Sequence, residues 1–212
     1  MKKLLLVLLA ICCLFACSCG GGEKPPTGDK QAAGQELTPP PLADTVQALL
    51  ARAEDFAPGE RPYLAASEDE AAGRVGGELI ARAYLDFWAA HYAHAATGQS
   101  DKGSEISAED AYQAAWQRVS DDVRDWYLAE KYNLLSAPED LLEAAQVDWQ
   151  VLQLDSEAYA EITADLLDNW GLTEEEYWQK FYPRYEAPQL GFFHKLQGIE
   201  DDYEPEIEIF DK

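Results

Sequence analysis

The spacing of apolar residues between Ser107 and Tyr132 limits most what this chain can fold into. Ala111, Tyr112, Ala115, Trp116, Val119, Val123, Trp126 and Tyr127 recur at steps of three and four, which puts them on one face of a helix. Such a helix needs partners, and the chain supplies them. Leu79 to Ala96, Pro138 to Leu154, Glu157 to Trp170 and Glu174 to Leu196 carry similar stripes, and Asp44 to Phe56 reads as a shorter leading helix. Helix starts are marked where a hydroxyl precedes an acidic residue by three positions: Ser67 with Glu70, Ser107 with Asp110, Ser136 with Glu139, Thr173 with Glu176. Trp170-Gly171-Leu172-Thr173 reads as a tight corner, with Gly171 free to take the left-handed conformation and Thr173 capping the next helix. The expectation is an all-α, single multi-helix domain over residues 42–212.

Two irregularities are expected within it. Pro183 and Pro188 each remove a backbone donor from the last stripe, so the C-terminal helix should kink or break near Tyr182 and Ala187. Residues 206–210 alternate like a strand, and residues 74–78 are the candidate partner for a minor two-stranded pairing near the ends of the domain.

All four cysteines (Cys12, Cys13, Cys17, Cys19) lie within the first nineteen residues, so the folded part has no disulfide framework, thiolate metal cluster or cysteine nucleophile. Lys2 and Lys3 precede an apolar run from Leu4 to Phe15, the pattern of an export signal, and the run is shorter than the roughly twenty residues of a permanent span. Its ending, Leu14-Phe15-Ala16-Cys17, resembles a bacterial lipobox. The resemblance implies a signal peptide at 1–16 and a lipidated Cys17 that anchors the chain on the extracytoplasmic side of the cell membrane. Cys19 offers a competing register but lacks the upstream leucine, and cleavage as an ordinary secretory signal is the alternative. Residues 17–41, rich in glycine, proline and polar side chains, read as a flexible tether.

The chain has 40 acidic and 16 basic residues. Losing Lys2 and Lys3 with the leader takes the formal net charge from −24 to −26. That surface repels nucleic acid and anionic headgroups, so no nucleic-acid partner is expected and membrane attachment falls to the lipid.

The chain carries few catalytic patterns. His91 and His94 sit three apart on a helix, without the glutamate and four-residue spacing of a metalloprotease, and no third ligand is marked. Nucleophile elbows, phosphate loops and calcium loops are absent, and Asp121-Asp122 and Asp201-Asp202 read as solvated charges. The expectation is a non-enzyme with neither cofactor nor metal.

Aromatic residues are more informative: six tryptophans and eleven tyrosines in a helical chain whose sole methionine is the first residue. Trp116, Trp126 and Trp170 read as core. Tyr84, Trp88 and Tyr92 step by four along one face, and Tyr177, Trp178, Phe181, Tyr182 and Tyr185 crowd the kinked helix. Of these, Tyr84, Trp88, Tyr92, Trp178, Phe181, Tyr182 and Tyr185 are the candidate client-binding lining of an open concavity.

Three segments, in order, resemble the amino-terminal helical domain of SurA and PrsA type extracytoplasmic chaperones. Residues 75–80 (Val-Gly-Gly-Glu-Leu-Ile), followed by a helix from Ala81, look like that family's opening strand and helix. Residues 129–140 are similar to its helix-turn-helix segment, with Asn133 where the family often carries glycine, and residues 169–178 look like its glycine-leucine-threonine corner. The likeness covers roughly residues 70–197. It implies a lipid-anchored holdase that shields unfolded exported polypeptides. Only about sixteen residues follow Leu196, too few for a parvulin domain, so prolyl isomerase activity is not expected. The rival expectation is a helical envelope lipoprotein that docks one dedicated protein partner.

Overall fold

The computed structural model describes residues 38–98 and 106–210. The expectations for the signal peptide, for Cys17 and for most of the tether lie outside the described residues. Within them the chain is mostly helical with one small three-stranded antiparallel sheet.

The chain enters through α1 (Leu42–Arg52), which buries Val46 and Leu49 completely. A hairpin follows, β1 (Ala71–Val75) and β2 (Glu78–Ala81), turning on Gly76 and Gly77, whose φ angles are +57° and +85°. Two successive left-handed residues make the turn whose twist matches paired strands, and glycine adopts it without strain. Residues 79–81 therefore extend as a strand, and the helix expected from Leu79 begins instead at Arg82, as α2 (Arg82–Gly98). Ser67 and Glu70 do not cap a helix; they lie in a turn that leads into β1.

The long amphipathic helix is α3 (Ala108–Lys131), capped by Ser107, whose hydroxyl accepts from the Asp110 amide at 3.1 Å. Its end carries Asn133 at φ +55°, with Leu134 N–H donating to the Ala129 carbonyl and Asn133 N–H to that of Glu130. This is the six-to-one and five-to-two closure usually built on glycine, and asparagine is among the few other side chains that tolerate it.

Helix α4 (Pro138–Leu152) opens on Ala137 with Pro138 in its first turn and no side-chain cap, so the expected Ser136 box does not form. Helix α5 (Ser156–Asp168) is capped by Asp155. The corner at Gly171 (φ +65°) forms as expected, and Thr173 and Glu176 close a reciprocal capping box.

The bent C-terminal helix runs through α6 (Glu174–Glu176), a π-helical turn (Tyr177–Phe181), α7 (Tyr182–Tyr185) and α8 (Ala187–Leu196). The wide turn carries the chain into Pro183, whose ring would otherwise strike the carbonyl one turn back. A second break falls at Glu186, two residues before Pro188.

Finally β3 (Ile207–Ile209) pairs with β1, giving the order β2-β1-β3. The pairing of residues 74–78 with 206–210 is thus present in part, through β1, and β2 adds a strand that was expected to be helix. Gly73 allows the closeness: a Cβ there would lie 2.2 Å from the Glu208 carbonyl oxygen and 2.9 Å from Trp116. Helices α1, α2 and α3 pack side by side, with the sheet against α2 and α3 and the bent helix across α3 and α4. Trp116, Trp126 and Trp170 are buried, as expected. Among the described residues no helix is long and apolar enough to cross a membrane.

Candidate functional site

The bent helix presents two different faces. On its inner face Phe181 packs edge to face against Phe87 and Trp170, with ring centroids 5.9 and 5.6 Å apart, and lies 4.7 Å from Tyr185. Tyr84, Trp88, Phe181, Tyr182 and Tyr185 are all buried, as is Trp178, and Tyr92 is half-buried. The expected open concavity is therefore a closed aromatic interior along most of its length. Helical stripes from α2 and the bent helix face each other, and burying a large ring gives more than leaving it wet. What remains between α2, α5 and the bent helix is a cavity of about 80 Å³ walled by rings, with Glu186 and Gln189 among its polar lining and Asp165 and Ile162 from α5.

Carboxylates inside this interior are held mostly by tyrosine hydroxyls. Tyr84 donates to Asp122 at 2.8 Å, Tyr177 to Glu186 at 2.8 Å, Tyr182 to Asp148 at 2.7 Å and Tyr112 to Asp86 at 3.0 Å. A chain this poor in lysine and arginine has few cations to bury, and a phenol is the available donor. Burial raises Asp122, Asp148 and Asp86 from the ordinary aspartate value and pushes Glu186 up to about 7, against the Tyr177 hydrogen bond, which lowers it. Arg118 adds a cation: it pairs with Asp122 at 3.0 Å, donates to Gln189 at 2.5 Å and stacks 4.5 Å from the Trp88 ring centroid. Gln189 closes the network, donating to Asp122 at 2.9 Å.

Asp122 is thus a correction to the reading of Asp121-Asp122 as two solvated charges: Asp121 is exposed and Asp122 is 3% exposed. A signal for it existed, because Ala115, Val119, Asp122 and Trp126 fall on one stripe at steps of four, three and four. His91 is buried against Phe87, Trp88 and Trp170, and burial lowers its pKa to about 4, with His94 and Arg118 adding to the shift. Among the described residues no three histidine, cysteine, aspartate or glutamate side chains gather as a metal site.

The outer face of the same helix borders a groove of about 650 Å³ against α4. Gln146, Gln150 and Gln153 line its α4 side at steps of four and three, and Gln179 faces them from the π turn. Trp149 and Trp178 form the floor, their rings parallel within 6° at 6.4 Å, and exposed Leu142 lies at the edge. Glu174 fixes the Trp149 indole by accepting its N–H, and accepts the Tyr159 hydroxyl at 2.7 Å. Of the seven candidate residues only Trp178 reaches this groove; Trp149 and the glutamines were not singled out. No protein-family model, curated protein or solved structure matches the chain.

Proposed function

We propose that the chain is a lipid-anchored extracytoplasmic holdase, held by Cys17, that shelters unfolded exported polypeptides in the groove between α4 and the bent helix. The observation that carries this reading is the groove's chemistry. A glutamine amide both donates and accepts, so four of them offer partners to the backbone of any extended peptide, whatever its sequence. The indoles and Leu142 supply apolar contact without a deep pocket that would select one side chain. The acidic surface keeps a loaded protein soluble and draws basic clients.

The test is suppression of aggregation of an unfolded model protein at equimolar ratio, with native chain against Gln150→Ala and Trp149→Ala. Loss of protection in both variants with folding intact is expected. Equal protection by all three would remove the groove from the account.

Docking of one dedicated envelope partner is the second reading. It is favoured by Leu154 and Leu167, 82% and 63% exposed on the α4–α5 hairpin, outside the groove lining. A photoreactive residue at position 150, used in living cells, separates the two: many captured proteins support the holdase, a single one the partner.

A further inference from the structure

The closed face of the bent helix joins two chemistries that seldom share one space. The rings of Phe87, Trp88, Trp170, Tyr177, Phe181 and Tyr185 wall a cavity of about 80 Å³, and its carboxylates are Glu186, partly buried, and Asp165 at the exposed rim on α5. An apolar guest gains nothing from those carboxylates, and an anion is repelled by them. A cation is favoured by the carboxylates and by ring faces whose quadrupoles attract positive charge. The fold already uses that attraction at the cavity's border, where the Arg118 guanidinium lies over Trp88.

Volume sets the size of the guest. A cavity of about 150 Å³ accepts benzene, so one of this size takes about three or four heavy atoms, the bulk of a trimethylammonium head, with the rest of a larger guest left outside at the exposed Asp165 rim. We propose that this cavity binds a small alkylammonium ion, its charge held between Glu186 and the surrounding rings.

The groups around Glu186 are consistent with that guest. Tyr177 of the π turn donates to its carboxylate, Arg118 of α3 is neutralised by Asp122, and Asp165 of α5 adds negative charge. His91 of α2, with its pKa lowered to about 4, brings no positive charge at neutral pH. Because Glu186 is pushed up to about 7, a proton competes with the guest below that pH, and binding tightens between pH 6 and pH 8.

The full chain is titrated with choline and with its uncharged isostere 3,3-dimethylbutan-1-ol, followed by tryptophan fluorescence and calorimetry. Choline is expected to bind saturably and at least tenfold tighter than the alcohol. Glu186→Gln should weaken choline at least tenfold, leave the alcohol unchanged and abolish the pH dependence; Ile162→Trp, at the rim, should weaken both. If Glu186→Gln does not fold, Asp165→Asn at the exposed rim carries the test, with a two- to threefold weakening expected. Dihexanoylphosphatidylcholine below its micellar concentration tells the source: tighter binding than choline means a lipid headgroup, weaker binding a free ion. Equal binding of choline and the alcohol, insensitivity to Glu186→Gln in a folded variant, or no binding of either cationic probe would overturn the proposal.

Discussion

The inner and outer faces of the bent helix differ in how each spends its aromatic residues. Phe181 and Tyr185, on the inner face, are shut in by rings from α2 and by Trp170, so their area has gone into cohesion. Trp178, on the outer face, is itself covered, but it is covered by Trp149 and by amides that still reach water. One face is consumed by folding and the other keeps polar partners available for something else. A ring on a helix therefore says little about function until what lies opposite is known.

The largest effects are expected where the closed face is broken. Phe181→Ala removes a ring that is 1% exposed and leaves a void among Phe87, Trp170 and Tyr185, for a loss of about 3–5 kcal/mol in urea unfolding. Asp122→Ala should cost a similar amount, about 3–5 kcal/mol, because Arg118 keeps its buried charge while losing its carboxylate partner. Double replacement of Arg118 and Asp122 by well-packed apolar residues should recover much of that loss, and a calorimetric melt distinguishes the two variants.

Next in size is pH. The Glu186 carboxyl, raised from 4.5 to about 7, keeps a proton in the fold that the unfolded chain has released, so its stabilising contribution is complete below about pH 4.5 and is lost as pH rises through 7. His91 acts in the opposite sense: lowered from 6.5 to about 4, it contributes stability that is present above pH 6.5 and lost as pH falls through 4. Glu186→Gln should therefore flatten the fall in urea midpoint between pH 5.5 and pH 8, an effect on the order of 1–2 kcal/mol for this partly buried group. His91→Phe should leave that limb in place and flatten the acid limb instead.

Smaller still is the cap shared by both faces. Thr173→Ala opens the reciprocal box with Glu176 at the entrance to the bent helix and should lower stability by about 1 kcal/mol, with faster amide exchange confined to the first turn. On the open face Gln150→Ala should change stability by no more than about 0.5 kcal/mol while reducing protection of an unfolded client. A stability loss as large as that of Phe181→Ala would mean that the two faces are not different in kind.

Much of the secondary structure was legible because its causes are local. Ser107, the corner at Gly171 and the breaks near Pro183 and Pro188 each act within one or two turns. Gly76-Gly77 is equally local: a glycine pair between two short apolar runs is a hairpin signal, and it is this turn, rather than a strand continuing through residues 74–78, that places residues 79–81 in β2. Ser136 misled because Pro138, one residue inside α4, opens that helix without a side-chain cap. The site was harder to read. Its glutamines carry no charge, and their steps of four and three read in sequence as an ordinary solvated helix face, while Glu186 differs from the other acidic residues only in standing next to Tyr177 after the chain has bent.

Taken alone, the order of residues determined the start of α3 at Ser107, the corner at Gly171 and the breaks near Pro183 and Pro188, that α3 must be covered along one side, and that Trp116, Trp126 and Trp170 point inward. These depend on backbone conformation and on steps of three and four, which neighbouring residues impose. Only the tertiary structure decided that Tyr84, Trp88, Phe181 and Tyr185 close on one another, that phenols and one arginine hold the buried carboxylates, and that an open groove lies on the opposite face. Burial and pKa depend on every element packed around a side chain, and those elements come from positions as far apart as Tyr84 and Gln189.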